Sequence, residues 1–303
     1  MKITNPVFFD LKKVNAVKNK SIIKISNDTR DAKINVLKDK KEKIIFLEKH
    51  TTGNKYYSNV KVHDPRSTNQ KSKKKINSVF TKNGNITTRY LDDDIRRVKS
   101  LKKYLIGKDI LDYGCGWGNF LRQIKKVKSK NGVEIGQDFI NFLKNKKNIK
   151  IEKDILNFQK NFDVITLFHV LHYLPNQIET LKILRSKLKD RGKIIIEVPN
   201  ANDFLLSVDD FKHFRKFTFS KEQLVLHTEK SLKLFAKKAG FKKIKIFYYQ
   251  RYNINNHFGW FLYKKPGGHD YLSKFFKKKM IKSYNNFLIG NKIADTLILI
   301  ATK

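Results

Sequence analysis

From about Asp92 onward the chain repeats one pattern: a short apolar run, a turn, then an amphipathic stretch. Asp109–Tyr113, Gly132–Ile135, Ile149–Ile151, Phe162–Phe168 and Lys193–Val198 read as strands, the last closed by Pro199. Between them, Asn119–Val127, Phe139–Lys146 and the stripe Ile178, Leu181, Leu184, Leu188 read as helices. Another helix precedes the first strand. It starts on the acids Asp92–Asp94, which suit a helix N-terminus, and sets Ile95, Val98, Leu101 and Leu105 on one face. Glu229–Ala239 stops at Gly240, a residue that leaves a helix easily, and Lys243–Tyr249 and Thr296–Ala301 follow as strands. Such alternation implies an α/β fold, a parallel sheet covered by helices on both faces.

Residues 1–90 read differently. Short β-rich runs, Ser21–Ile25, Lys33–Leu37 and Lys43–Leu47, are separated by polar turns and predict a small antiparallel meander. The stretch Asp64–Asn77 is polar and lysine-rich, which reads as a loop or linker. The expected organisation is a small β-rich region over 1–90 and an α/β domain over 91–303.

In an open parallel sheet, ligands sit at the carboxyl ends of the strands. Gly114, Gly116 and Gly118 stand there, in DYGCGWGNF, between the first α/β strand and its helix. Glycines suit a backbone that turns sharply and approaches a ligand with no Cβ in the way. The spacing is GxGxG rather than the GxGxxG of dinucleotide sites, since Asn119 stands where the third glycine would be. No GxxxxGK[ST] occurs, which excludes a P-loop. Glu134 ends the next strand, about 20 residues beyond the first glycine, where an acid can take ribose hydroxyls. Asp154 and Ile155 follow the third strand and can bracket an adenine edge.

Composition narrows the class. Hydrophobic residues make up 40% of the chain, enough for a real core. No apolar run reaches the roughly 18–20 residues of a membrane helix, and MKITNPVFFDLKK lacks the apolar centre and cleavage site of a leader. Cys115 is the single cysteine, which removes an internal disulfide and any multi-cysteine zinc site; the histidines show no metal-ligand spacing, so no metal is expected. These features imply a cytoplasmic protein. The formal net charge of +39 has two readings. One is a nucleic-acid face. The other, preferred here, is a solvated surface shaped by AT-rich coding, because the cations are overwhelmingly lysine and spread over every segment. Attraction to anionic substrates holds under both.

Five segments occur in order: Asp109–Phe120 (DILDYGCGWGNF), Gly132–Ile135 (GVEI), Lys153–Ile155 (KDI), Phe162–Pro175 (FDVITLFHVLHYLP) and Leu188–Asn200 (LKDRGKIIIEVPN). Together they resemble the class I S-adenosylmethionine-dependent methyltransferases over residues 93–303. The resemblance implies a Rossmann-like seven-stranded sheet and S-adenosylmethionine as methyl donor. It sets Asp112 and Gly114 against the donor's methionine part, with Cys115, Gly116 and Gly118 along its path. Glu134 would hold the ribose, Asp154 and Ile155 the adenine, and His169 would lie near the sulfonium. His172-Tyr173 departs from the Glu-His of many relatives. Val198–Leu206, Leu224–Phe241, Asn256–Phe258, Lys265–His269 and Asp295–Lys303, with Thr29–Tyr57, are similar to a bacterial branch associated with surface-glycan and nucleotide-sugar biosynthesis. A small sugar or nucleotide-sugar acceptor is the implied partner.

Methyl transfer from a sulfonium is an in-line displacement, so the enzyme mainly aligns the acceptor. A hydroxyl or carbon acceptor also needs a base near neutral pKa, which points to histidine. His169 and His172, at the end of the fourth strand, and His257 are the candidate catalytic residues. His213 and His227 rank behind them, and His50 and His63 read as surface residues. His257 and His269 bracket FGWFLYKKPGGH, read as an acceptor lid with Trp260 and Tyr263 as stacking faces. Two other functions stay open: an RNA or protein methyltransferase using the basic surface, and a non-catalytic donor-binding partner protein.

Overall fold

The computed structural model describes residues 2–53, 88–146, 148–208, 211–268, 272 and 274–303. His63, His269 and the expected linker Asp64–Asn77 lie outside them.

Seven strands form the main sheet: β4 (Asp109–Tyr113), β5 (Ser129–Val133), β6 (Lys150–Glu152), β7 (Phe162–Phe168), β8 (Leu188–Pro199), β10 (Lys242–Tyr249) and β11 (Thr296–Thr302). Their order is β10-β11-β8-β7-β4-β5-β6. β4 pairs in parallel with β5 and β7, and β5 with β6. β10 runs antiparallel to β11, so the sheet is mixed rather than parallel throughout. The main helices are α2 (Thr88–Leu105), α3 (Asn119–Gln123), α4 (Gln137–Lys144), α5 (Gln177–Ser186) and α8 (Glu229–Lys238), α1 being Pro6–Lys13.

A second sheet has the order β1-β2-β3-β9, from β1 (Ile22–Ser26), β2 (Val36–Asp39), β3 (Ile45–Leu47) and β9 (Val225–Leu226). The expected meander is there, with a fourth strand from far along the chain: Ile45 pairs with Leu226. The chain divides into two compact units, one of residues 1–51, 169–185 and 195–302, the other of 52–168, 186–194 and 303. Residues 1–51 thus share a unit with most of the C-terminal half.

In the second unit, the start of the strands is pinned by charge. Lys189 Nζ lies 2.6 Å from Asp109 and 2.9 Å from Asp163, and Ser129 donates to Asp109 at 2.6 Å. Burial alone would raise the Asp109 pKa; the lysine and hydroxyl bonds overcome it and hold the carboxyl well below the usual range. α2 differs from expectation. Its buried face carries Leu101 and Leu105 but also the pair Asp94–Arg97 at 2.9 Å, while Ile95 is 52% exposed. One position turns a helix by about 100°, so burying Asp94 swings Ile95 toward water.

In the first unit, the aromatic segment read as an acceptor lid is helical over α9 (Ile254–Tyr263), with α10 (Lys278–Gly290) after it. Two shorter helices precede them, α6 (Phe204–Ser207) and α7 (Lys212–Thr218). Among the described residues no helix is long and apolar enough to cross a membrane.

Candidate functional site

The glycine loop leaves β4 with three left-handed residues, Gly114 (φ 74°), Gly116 (φ 53°) and Gly118 (φ 65°). Side chains seldom adopt that region. Gly114 and Cys115 both donate to the Val133 carbonyl, at 2.8 and 3.1 Å, which ties the loop to β5. The glycines then differ. A Cβ on Gly118 would stand 2.6 Å from Leu143 Cδ2, so that glycine exists for packing against α4. A Cβ on Gly116 would meet nothing within 4 Å. Gly116 is thus open on its side-chain face, the face a ligand would take.

Glu134 closes the other side. Its Oε2 accepts from Gly116 N at 2.8 Å, and its Oε1 accepts from Ile135 N at 2.8 Å and Gly136 N at 2.9 Å. An ionised carboxylate has about four lone-pair positions. Three are taken by amides, which leaves one open position on the carboxylate. Asp112 is buried at the end of β4 and accepts from Thr166 Oγ1 on β7 at 2.7 Å. Desolvation pushes its pKa up to about 7, opposed by the Thr166 bond and by Arg97. Arg97 in turn stacks over Phe168, 4.5 Å from the ring centre. Cys115 is buried and desolvation raises its thiol pKa, so it packs rather than reacts.

Asp154 caps the turn after β6, accepting from Leu156 N at 2.9 Å with one oxygen. Ile155 is 3% exposed and sits in the core; the exposed apolar neighbours are Leu156 and Ile135. The open glycine face, the remaining lone pair of Glu134 and the second oxygen of Asp154 fit the donor that the resemblance implies. All these groups belong to the second unit.

The histidines belong to the first. His169 directly follows β7 and has φ 57°, a left-handed conformation outside glycine. Its backbone N–H donates to the Glu197 carbonyl at 2.8 Å, and its Nε2 lies 3.1 Å from Glu197 Oε1. Glu197, within β8, is fully buried. His172 is buried with no bond at Nδ1, and desolvation, then the nearby His169 and His227, hold its pKa well below the usual value. His227 is a core residue, with Nδ1 3.0 Å from Ser231 Oγ and Nε2 2.7 Å from Gln177 Oε1. His257 is equally occupied: Nδ1 lies 2.8 Å from the Tyr284 hydroxyl, Nε2 3.3 Å from Gln250 Nε2, and the ring stacks on Phe204. Burial depresses its pKa to about 4. Trp260 is buried among Phe214 and Phe217, which removes it as an exposed stacking face. Glu197 was not singled out from the sequence, although a lone carboxylate inside IIIEVP was a visible signal.

The chain is similar to a S-adenosylmethionine-dependent methyltransferase from Archaeoglobus fulgidus (23% identity, 70% of this chain and 94% of that one, TM-score 0.48). It is also similar to phosphoethanolamine N-methyltransferase 2 of Haemonchus contortus (14% identity, 86% and 61%, TM-score 0.50). At that identity the second likeness speaks for the fold. No curated protein matches the sequence. A family model described as a methyltransferase domain matches residues 85–246, more than half of the chain. The matched span holds the glycine loop, Glu134, Asp154 and His169, and the chain belongs to the methyltransferase-domain family, as an enzyme that takes its methyl group from S-adenosylmethionine.

Proposed function

We propose that the chain methylates a hydroxyl or amine of a small, carbohydrate-derived acceptor, with His169 as general base and Glu197 as the group that positions it. The observation that carries this is the 3.1 Å approach of His169 Nε2 to a fully buried carboxylate. Glu197 lies against the imidazole and holds it in place, and the imidazole takes the acceptor's proton. The donor supplies an electrophilic methyl on a sulfonium. Gly116 admits it, Glu134 takes one ribose hydroxyl, Asp154 the adenine amino group, and Asp112 faces the methionine end. His172 is kept neutral and next to His169, with ring centres 6.0 Å apart, so it shapes that ring's surroundings without adding charge. The sugar class rests on the resemblance of the C-terminal segments to a glycan-associated branch.

The test is turnover with a panel of sugars, nucleotide-sugars, phosphoethanolamine and RNA, for the wild type, His169→Asn and Glu197→Gln. The base assignment expects His169→Asn to lose roughly 10²–10⁴ in kcat, the usual span for general-base catalysis. Glu197→Gln should lose less and shift the acidic limb of the kcat profile. Full activity in His169→Asn refutes the base. Turnover on RNA alone refutes the acceptor class.

A further inference from the structure

Helix α9 breaks the usual rule that a surface helix turns its apolar face inward and its polar face outward. Its inner face carries Asn256, His257 and Trp260, all buried. Its outer face carries Phe258, Phe261 and Leu262, spaced i, i+3 and i+4, and all are exposed, Leu262 at 61%. From Ile254 to Tyr263 there is no charged residue, and then Lys264 and Lys265 follow, both exposed. The apolar surface continues off the helix. Phe258 meets Phe276 at 5.0 Å between ring centres, and the adjacent Phe275 is 73% exposed. Lys274, Lys277, Lys278 and Lys279 flank it and Met280 is exposed, with no Asp or Glu from 274 to 294.

Contiguous exposed aromatics mark an interaction site. The chemistry of the rim says which kind. Aromatic and leucine side chains framed by lysines match the interface of a bilayer whose headgroups are anionic, where rings enter the headgroup–acyl boundary and ammonium groups stay at the phosphates. We infer that the α9 face, with Phe275 and Met280, docks this enzyme on an anionic lipid surface. The lysine excess thereby gains a local use, since opposite charge on the membrane complements these cations. The inference is independent of the sugar acceptor: it would hold for any substrate met at a membrane.

The experiment is co-sedimentation of the full chain with vesicles of about 70% phosphatidylcholine and about 30% phosphatidylglycerol, against pure phosphatidylcholine, which carries no net charge to attract lysines. Binding should appear on the anionic vesicles only and fall as salt rises. Leu262→Asn with Phe275→Asn, both at exposed positions, should weaken it at least about tenfold; Lys264→Glu with Lys265→Glu should weaken it by about fivefold per lysine removed. Leu262→Trp should shift its emission to the blue on anionic vesicles, a readout that does not depend on a loss. Melting temperatures show that the variants are folded. No binding at low salt overturns the inference. So does equal binding by the Asn double variant, which leaves charge alone, or a wild-type dimer that this variant dissociates, which makes the face a contact between copies.

Discussion

Glu134→Gln is the sharpest probe of the donor site, because it keeps shape and removes one acceptor. The carboxylate receives three amides, from Gly116, Ile135 and Gly136. A glutamine oxygen turned toward Ile135 and Gly136 preserves two of those bonds and sets its NH₂ against Gly116 N, donor to donor, where 2.8 Å now separates a bonded pair. The amide flip is worse, since it loses two. A bond to a charged group contributes about 1.5–3 kcal/mol, and a donor left unpaired costs about 1–3 kcal/mol when buried. Gly116 is only half-buried, so water recovers part of the second term. The expected loss is about 2 kcal/mol of stability in urea, at unchanged m. Calorimetry with S-adenosylhomocysteine should show a further fall of roughly ten- to a hundredfold in affinity, because the loop that presents Gly116 is released. Glu134→Ala should exceed both. If Glu134→Gln melts with the wild type while affinity falls, the carboxylate meets ligand alone and the staple is refuted. Unchanged affinity removes Glu134 from the site.

The other glycines and buried groups give contrasting outcomes. Gly118→Ala should destabilise the free protein by about 2 kcal/mol, from a strained φ and the Leu143 clash, whereas Gly116→Val, open at its Cβ, should lose S-adenosylhomocysteine binding while costing stability mainly through its φ. Asp112 has a folded pKa of about 7, above its unfolded value, so the folded state holds the proton longer. Stability relative to Asp112→Asn therefore falls as pH rises from about 4 to 7 and levels off above, by at most about 4 kcal/mol at about 1.4 per pH unit; a wild-type urea midpoint that rises relative to the variant's over that range would contradict this. His227→Leu removes the bond to Gln177 Oε1, while Ser231 Oγ keeps Thr228, and should cost about 1–3 kcal/mol in urea with donor affinity unchanged, which separates it from His169.

Much of the α/β core was legible because it is written in local periodicity. Phe162–Phe168 is a strand with the expected ends, and Ile178, Leu181, Leu184 and Leu188 are all buried. The glycine loop and the acid that follows the next strand were legible for a related reason: both are fixed by chain order. What was hidden depends on distant partners. Ile95 looked like a core residue until Asp94 and Arg97 took the buried face. His227 and His257 looked like chemistry until Gln177 and Tyr284, 50 and 27 residues away, saturated them. Glu197 shows in the sequence only as a lone carboxylate inside an apolar strand; that it meets a histidine 28 positions earlier depends on the fold. α9 was hidden because its apolar residues serve two faces at once, which removes the period.

The pairing of β3 with β9 also sets an order of events. Asn5 bonds the carbonyl of Leu224, 219 residues further along, so the small sheet cannot be completed until most of the chain exists. A ribosome adding about 5–20 residues each second leaves β3 without its neighbour for roughly 10–40 s. During that interval the apolar strand Ile45–Leu47 is an open edge, the kind that recruits a strand from another chain. Closing so long a loop is also slow in refolding. Yield from a cell should thus be governed by how nascent chains are shielded, more than by the stability of the finished protein.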